Sequence, residues 1–177
     1  ENIFIPLEVS ELTGIYTHMC HYRGEDIINA LIAFEIAYKQ CNCIVAHNMD
    51  FDIEMILAEI ERNRAEILSR APQCFTLFQP VYERVSNIER YCTMRKGTNM
   101  CNIAIPSKTE GKPPRKKWPK LSELHSHLFN GEQAKGLHNS FIDVMICLKC
   151  YLKMTEGTKV ISNTLVNNEC NLDKLVI

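Results

Sequence analysis

The chain has 177 residues, of which 46% are apolar, and this supplies core for one globular domain but little for a second. It contains no apolar run of about 18 residues and no secretory signal pattern at its start, so we expect a soluble, intracellular protein of the cytoplasm or nucleus with no membrane partner. A net charge of −1 argues against a protein that coats nucleic acid.

The cysteine count indicates reduced thiols. Nine cysteines are an odd number, which cannot all pair within one chain. Cys41-x-Cys43 and Cys147-x-x-Cys150 raise a zinc alternative, but the first spacing is too tight and the second lies in a helical run. Small buried apolar thiols are the simpler expectation.

The first half of the chain predicts helix, strand and helix in order. Residues 24–40 form a helix with one face inward, Cys43–Ala46 form a short buried strand ending at His47, and a second helix covers about 51–69. The expected inward residues are Ile27, Leu31, Phe34 and Tyr38 in the first helix, and Ile53, Ile56, Leu57 and Ile60 in the second.

The second half predicts a strand within 88–94, a long polar loop over 96–118 and two helices. The short helix contains Leu121, Leu124, Leu128 and Phe129 and is stopped by Asn130-Gly131. The last helix, about 140–154, is predicted to bury Phe141, Val144, Met145, Leu148 and Leu152.

The alternation predicts an α/β domain with a central sheet over residues 1–155 and a C-terminal tail over 156–177. Only two strands are clear in the sequence, so we expect the rest of the sheet to precede Glu1.

The charge is uneven, because residues 108–120, here called the basic arm, carry +5 and leave −6 for the remainder. The arm also holds Trp118 and Pro113-Pro114. It is a candidate nucleic-acid contact, with phosphates on cations and a base on the ring. The alternative is a solvated loop whose tryptophan packs on the domain. The candidate contacts are Lys112, Arg115, Lys116, Lys117 and Trp118.

Two histidine-containing motifs carry the candidate chemistry. His47-Asn48-Met49-Asp50-Phe51-Asp52 follows a strand at a helix start, where open α/β sheets place ligands. Gly136 to Asp143 places His138 five residues before Asp143, and this spacing requires His138 to lie on the loop entering the helix. Each motif also has a structural explanation, with Asn48 or Asp50 capping one helix and Ser140 with Asp143 capping the other.

Together, HNxxFD and HxxxxD about 90 residues later resemble the second and third motifs of the DEDDh (DnaQ-like) 3′→5′ exonucleases of the ribonuclease H-like superfamily. Three further segments resemble this family in the same order, over roughly residues 5–153. They are Leu12-Thr13-Gly14-Ile15, Cys92-Thr93 and Lys120-Leu121-Ser122-Glu123-Leu124.

The resemblance implies a ribonuclease H-like central mixed sheet flanked by helices and a two-metal nuclease using Mg²⁺ or Mn²⁺. Asp52 and Asp143 would be the metal carboxylates and His138 the base that takes a proton from water. The substrate would be a nucleic-acid 3′ end, with DNA slightly favoured over RNA, in DNA repair or proofreading with a polymerase or homodimer partner. Its contacts would come from Leu12, Thr13, Gly14, Ile15, His47, Asn48 and Phe51.

The chain departs from the family at the first motif, an Asp-x-Glu, which Glu1, Glu8 and Glu11 do not form. We expect the strands that carry it to precede Glu1. Other interpretations are that a second chain supplies it, or that this is a catalytically incomplete exonuclease-like module binding nucleic acid or a protein partner. A cysteine or serine hydrolase is a weaker alternative, because no G-x-S-x-G or family-specific cysteine signature occurs.

Overall fold

The computed structural model describes residues 4–107 and 114–155, and these are mostly helical with four short strands. A 3₁₀-helix, Pro72–Thr76, lies between α5 and α6. In chain order the other elements are α1 Leu7–Thr13, α2 Thr17–Arg23, α3 Ile27–Gln40, β1 Cys43–Ala46, α4 Met49–Arg62, α5 Arg64–Arg70, α6 Pro80–Ser86, β2 Glu89–Cys92, α7 Thr93–Cys101, β3 Ala104–Ile105, β4 Arg115–Lys116, α8 Leu121–Leu128 and α9 Ser140–Thr155.

The chain divides into two compact units, with the boundary between Tyr91 and Cys92. In the first unit, α3 and α5 pack on each other and on the 3₁₀-helix, while α4 contacts α5 and β1. Asp26 starts α3 because its carboxylate accepts hydrogen bonds from the N–H groups of Ile28 and Asn29, at 3.0 and 3.2 Å. Ile28 and Ile67 are fully buried in this core.

A buried polar network ties the loop before α6 to α3. The Tyr38 hydroxyl donates to Glu83 Oε1 and accepts from the Phe78 N–H, both at 3.0 Å. Arg90 donates to the same Glu83 oxygen at 2.8 Å and to the Phe78 carbonyl at 3.0 Å. Burial is the main cause that raises the pKa of Tyr38 to about 12. The network also holds Phe78 at a φ of +58°.

In the second unit, α7, α8 and α9 pack against one another. Leu124 on α8 is fully buried and lies over Gly97 of α7, where an added Cβ would approach Leu124 Cδ1 to 2.7 Å. A glycine inside α7 therefore permits the close approach of α8.

The mixed helix and strand content predicted from the sequence is confirmed, and so are the bounds of β1. The central mixed sheet is not seen among the described residues, whose strands form two separate pairs, β1 with β2 and β3 with β4. β1 is half-buried instead of buried, because within this two-stranded sheet it has one paired neighbour. The ribonuclease H-like arrangement remains a prediction.

The prediction of one long polar loop over 96–118 is wrong. Residues up to Cys101 continue α7, and β3 pairs antiparallel with β4 through Ala104 opposite Lys116 and Ile105 opposite Arg115. The residues of α7 have low intrinsic helix propensity, but packing on Leu124 stabilises the helix, so the tertiary contact outweighs the local preference.

Several predicted inward residues are instead exposed. On α3 the buried residues are Ile28, Leu31, Glu35 and Tyr38, so the buried face is shifted from the predicted one and includes an acid paired with Lys39. The residues that were predicted to face inward but are exposed in the structure are Ile27, Phe34, Leu57, Phe141 and Val144. The predicted helix over 51–69 is also two helices, α4 and α5, which meet at Asn63.

In the described part of the chain, no helix combines the length and apolar character needed to cross a membrane. The predicted tail over 156–177 lies outside the described residues.

Candidate functional site

The His47–Asp52 motif joins β1 to α4, as predicted. Asn48 takes the left-handed conformation, with φ +69° and ψ +49°, and its carbonyl accepts the Phe51 N–H at 2.9 Å. Its side chain makes no capping hydrogen bond, so the proposed Asn48 side-chain cap is wrong. Asparagine tolerates this conformation better than most residues, and here it serves the turn.

Asp52 lies in the first turn of α4, where the helix dipole favours an acid. The residue is exposed as a whole, but neighbouring protein atoms partly remove its carboxyl group from water. This desolvation raises the pKa of Asp52, and a hydrogen bond from its own N–H acts in the opposite direction. A carboxylate short of hydration would gain more from a bound cation than a fully solvated one.

The second motif forms a tight loop before α9. Gly136 has a φ of +71°, which favours glycine, and an added Cβ would lie 2.6 Å from Ile142 Cδ1, so a larger residue would also require Ile142 to shift. His138 lies on this loop, as the spacing predicted, and has a φ of +76°. The backbone therefore turns twice through the left-handed region just before the helix.

Asn139, instead of Ser140, caps α9. Its side-chain oxygen accepts from the N–H groups of Phe141 and Ile142, at 3.1 and 3.3 Å. Asp143 Oδ1 accepts the His138 N–H at 3.3 Å. The capping arrangement proposed for Ser140 and Asp143 is wrong, because Ser140 is the first helical residue and a better cap precedes it.

The structure thus joins His138 and Asp143 in one hydrogen-bonded loop of the second unit, while Asp52 belongs to the first. Carboxylate oxygens are donors that suit Mg²⁺ or Mn²⁺. Within residues 4–107 and 114–155, however, no group of three or more His, Cys, Asp or Glu side chains is placed to hold a metal ion. The described donors therefore do not make a complete metal site.

The Leu12–Ile15 segment ends α1. Gly14 has a φ of +73° and its N–H donates to the Ser10 carbonyl at 2.8 Å, the pattern of a helix-ending glycine. An added Cβ at Gly14 would meet no atom within 4 Å. Leu12 and Ile15 are 57% and 45% exposed, so neither belongs to the buried core.

The described part of the basic arm is an antiparallel ribbon leading into α8. Lys117 donates from its ammonium to Glu123, whose carboxylate also accepts the Lys120 N–H at 2.7 Å. Trp118 is 59% exposed, with the Arg95 guanidinium 6.0 Å from its ring centre. The ring lies on the surface beside Arg95, so both the nucleic-acid contact and the solvated loop stay predictions. Lys112 lies outside the described residues.

Sequence reasoning missed a pocket of about 380 Å³ in the second unit, whose lining includes Cys101, Ile103, Ser122, Ser126 and Gln133. Glu123 and His127 also line it, and no predicted catalytic residue does. A signal was present, since Ser122 with Ser126 and Glu123 with His127 are each four residues apart on a predicted helix.

Three of the described cysteines, Cys74, Cys147 and Cys150, are buried. All those in the described segments are free thiols. Cys150 is fully buried, and desolvation is the main cause that raises its pKa to about 12. Cys147 and Cys150 are the buried residues of α9, so they contribute to the core of the second unit.

Comparison of the chain with protein-family models, with curated proteins and with solved structures found no match.

Proposed function

We propose that this chain is part of a metal-dependent 3′→5′ exonuclease that releases nucleoside monophosphates from single-stranded or frayed ends, DNA slightly ahead of RNA. Asp52 and Asp143 are the carboxylates assigned to the two ions, and His138 is the base. When bound, the ions would neutralise charge on the scissile phosphate.

The observation that carries this proposal is the loop before α9. His138 is held at a positive φ and its N–H is bonded to the Asp143 carboxylate, so the two residues of the motif are fixed relative to each other. A separate asparagine caps the helix. Capping of α9 therefore does not account for the imidazole of His138, and unusual backbone geometry is frequent at functional sites.

The chemistry assigned to the chain's own groups is limited to what these residues can do. The exposed His138 imidazole would take the proton from the attacking water. The Asp143 carboxylate fixes the backbone of His138 and presents a second oxygen for a cation. Exposed Leu12 and Ile15 would contact the terminal nucleotide.

One observation favours the second candidate, an exonuclease-like module that binds without cutting. The described residues contain no three-membered donor group placed for a metal. In that case Asp52 and Asp143 would remain acids at two helix starts, and nucleic acid or a protein partner would bind without hydrolysis.

A 5′-labelled single strand incubated with the whole protein to which the chain belongs separates the candidates. The nuclease produces a ladder of shortened labelled strands with Mg²⁺ or Mn²⁺, none with a chelator, and none from Asp143→Asn. The same strand labelled at its 3′ end releases labelled mononucleotide first. Binding without shortening under all metal conditions would instead establish the module.

A further inference from the structure

We propose that the pocket in the second unit receives one unpaired nucleobase of a single strand whose phosphates lie along Arg115 and Lys116. This choice of ligand rests on the proposed function. The pocket itself is independent of the residues assigned to catalysis, since none of them lines it.

The pocket has the size for one nucleotide component. Its volume of about 380 Å³ is near the lower end of the range for small-molecule sites, roughly 300–1,000 Å³. Cys101 and Ile103 provide apolar wall atoms. Burial is the main cause that raises the pKa of Cys101 above its ordinary value, so this thiol stays protonated and forms a wall instead of a nucleophile.

The polar lining matches the edge of a base. Ser122, Ser126 and Gln133 each combine a donor with an acceptor. The Gln133 amide donates to the Gly131 carbonyl at 3.2 Å and lies 3.4 Å from Ser126 Oγ, so its orientation is constrained. Mixed donors and acceptors of this kind bind any base edge without selecting strongly among bases.

The charge at the pocket wall is an ion pair. The Lys117 ammonium is the main cause that holds the pKa of Glu123 below its ordinary value, followed by the Lys120 N–H. Glu123 is therefore anionic but paired with Lys117, and its carboxylate oxygens can also accept from the amino and imino donors of a base.

The β3–β4 ribbon, which follows Ile103 of the pocket wall, supplies the cations. The Lys117 N–H donates to the Ile103 carbonyl at 2.8 Å, and its ammonium to Glu123, so the ribbon is anchored to two pocket residues. Just before it, Arg115 and Lys116 are exposed on β4. Lys116 donates to Asn99 Oδ1 at 3.0 Å, and Arg115 forms no ion pair within the described segments.

Trp118, next to Lys117, completes the arrangement. The ring is 59% exposed and has Arg95 at 6.0 Å from its centre, a cation–π contact that supports a stacked base. A duplex keeps its bases paired and stacked inside the helix. A site built from one pocket and one exposed ring therefore selects an unpaired strand.

Trp118 is the only tryptophan of the chain, so its fluorescence reports stacking directly. The full chain is titrated in a chelator with an eight-nucleotide single strand of mixed sequence, and with a blunt-ended two-strand duplex as comparison. We expect the single strand to quench the emission at lower concentration than the duplex. Equal binding and quenching by the duplex would overturn the proposal.

Filling the pocket tests the base position. Ser126→Leu should raise the dissociation constant for the single strand about 10-fold, as the exclusion of one bound base does. Gln133→Leu, outside the helices, is the second variant should Ser126→Leu lose helical circular dichroism. Ser69→Leu, an exposed serine of α5, is the matched control and should bind as the unmodified chain does.

Replacing Arg115 and Lys116 by glutamine should reduce the slope of log affinity against log salt by about 0.7 for each phosphate that is no longer neutralised. Unchanged affinity in both pocket variants, or an unchanged salt slope, would refute this inference and leave the nuclease proposal intact. Pocket-dependent binding by a chain that never shortens a strand would refute only the nuclease proposal.

Discussion

Replacing Asp143 by asparagine separates a metal-ligand role from a structural one. The amide oxygen can still accept the His138 N–H, now 3.3 Å from Asp143 Oδ1, but a neutral amide cannot replace an anionic metal ligand. The structural loss is then confined to the acid in the first turn of α9, worth about 0.3–1 kcal/mol. We expect activity to be abolished while the melting temperature falls by no more than about 4 °C, at about 2–4 °C for each kcal/mol.

Asn139→Ala is the matched control in the same loop. It removes the acceptor for the Phe141 and Ile142 N–H groups and keeps both proposed catalytic side chains. Loss of such a cap costs about 0.5–2 kcal/mol. This variant should be the less stable of the two, yet its folded molecules should shorten a strand at close to the original rate.

The two variants are compared by thermal melts followed by circular dichroism and by initial rates on a 5′-labelled single strand. Rates are measured well below both midpoints, so that each sample is folded. Hydrolysis by Asp143→Asn at the original rate would remove this carboxylate from the chemistry. A dead Asn139→Ala that is fully folded would show that loop geometry alone controls the rate.

Three further outcomes are expected. Asp52→Asn should raise the melting temperature at neutral pH without metal, because burial raises the pKa of Asp52 in the folded chain. The protonated carboxyl group stabilises the fold at a pH below the pKa of the unfolded chain. This stability is lost as the pH rises through the pKa of the folded chain. Ile15→Ala should raise KM on short single strands and leave the melting temperature nearly unchanged, since Ile15 is 45% exposed. Tyr38→Phe should cost about 1–3 kcal/mol in chemical denaturation, because it leaves the Phe78 N–H and Glu83 short of a partner.

The first two of these outcomes have matched control variants. Glu54→Gln, an exposed acid on the same helix as Asp52, should change neither stability nor rate, and an equal gain in both variants would refute the desolvation argument. Val85→Ala, 83% exposed in α6, should leave KM unchanged. A fall in stability for Ile15→Ala with unchanged KM would contradict a role at the substrate end. Unchanged stability in Tyr38→Phe would show that water replaces the hydroxyl in the network.

Local rules predicted the elements whose ends are set by single residues. β1 has its predicted bounds because a four-residue apolar run is closed by polar residues on both sides. α8 ends at Leu128, followed by Asn130 and Gly131 at φ +53° and +91°, and the Gly131 N–H closes the turn on the Ser126 carbonyl. Such signals act within a few residues and need no tertiary context.

Burial within helices was predicted less well, because it depends on the partner surface. Glu35 is buried on α3 through its pair with Lys39, whereas a charge is ordinarily assigned to the solvent side. On α9 the buried residues are Cys147 and Cys150, while Phe141 and Val144 are exposed. Periodicity shows which residues share one face of a helix. When a helix has two apolar faces, the sequence alone does not show which of them is buried, because this depends on the neighbouring helices.

The sequence predicted the loop position of His138 in the candidate site, but it did not predict the backbone conformation of that loop. Spacing alone placed His138 on a loop before a helix, and the structure shows this. The left-handed conformation of His138 and the Asn139 cap depend on hydrogen bonds that no spacing rule contains. The pocket beside α8 was missed because its lining comes from separate segments of the second unit.

The conformation of His138 itself yields the last prediction. Of the six described non-glycine residues at positive φ, four are asparagines, and the fifth, Phe78, is held by the Tyr38 network. Asparagine or glycine would adopt the His138 backbone at no greater cost, so the turn itself does not require an imidazole at this position. His138→Asn and His138→Gly should therefore melt at the original temperature or above, yet lower the rate by about 10²- to 10⁴-fold, with Mn²⁺ affinity in calorimetry unchanged. A large loss of Mn²⁺ affinity would show that the imidazole is a metal ligand instead of a base. Full activity in either variant would show that His138 serves only the turn.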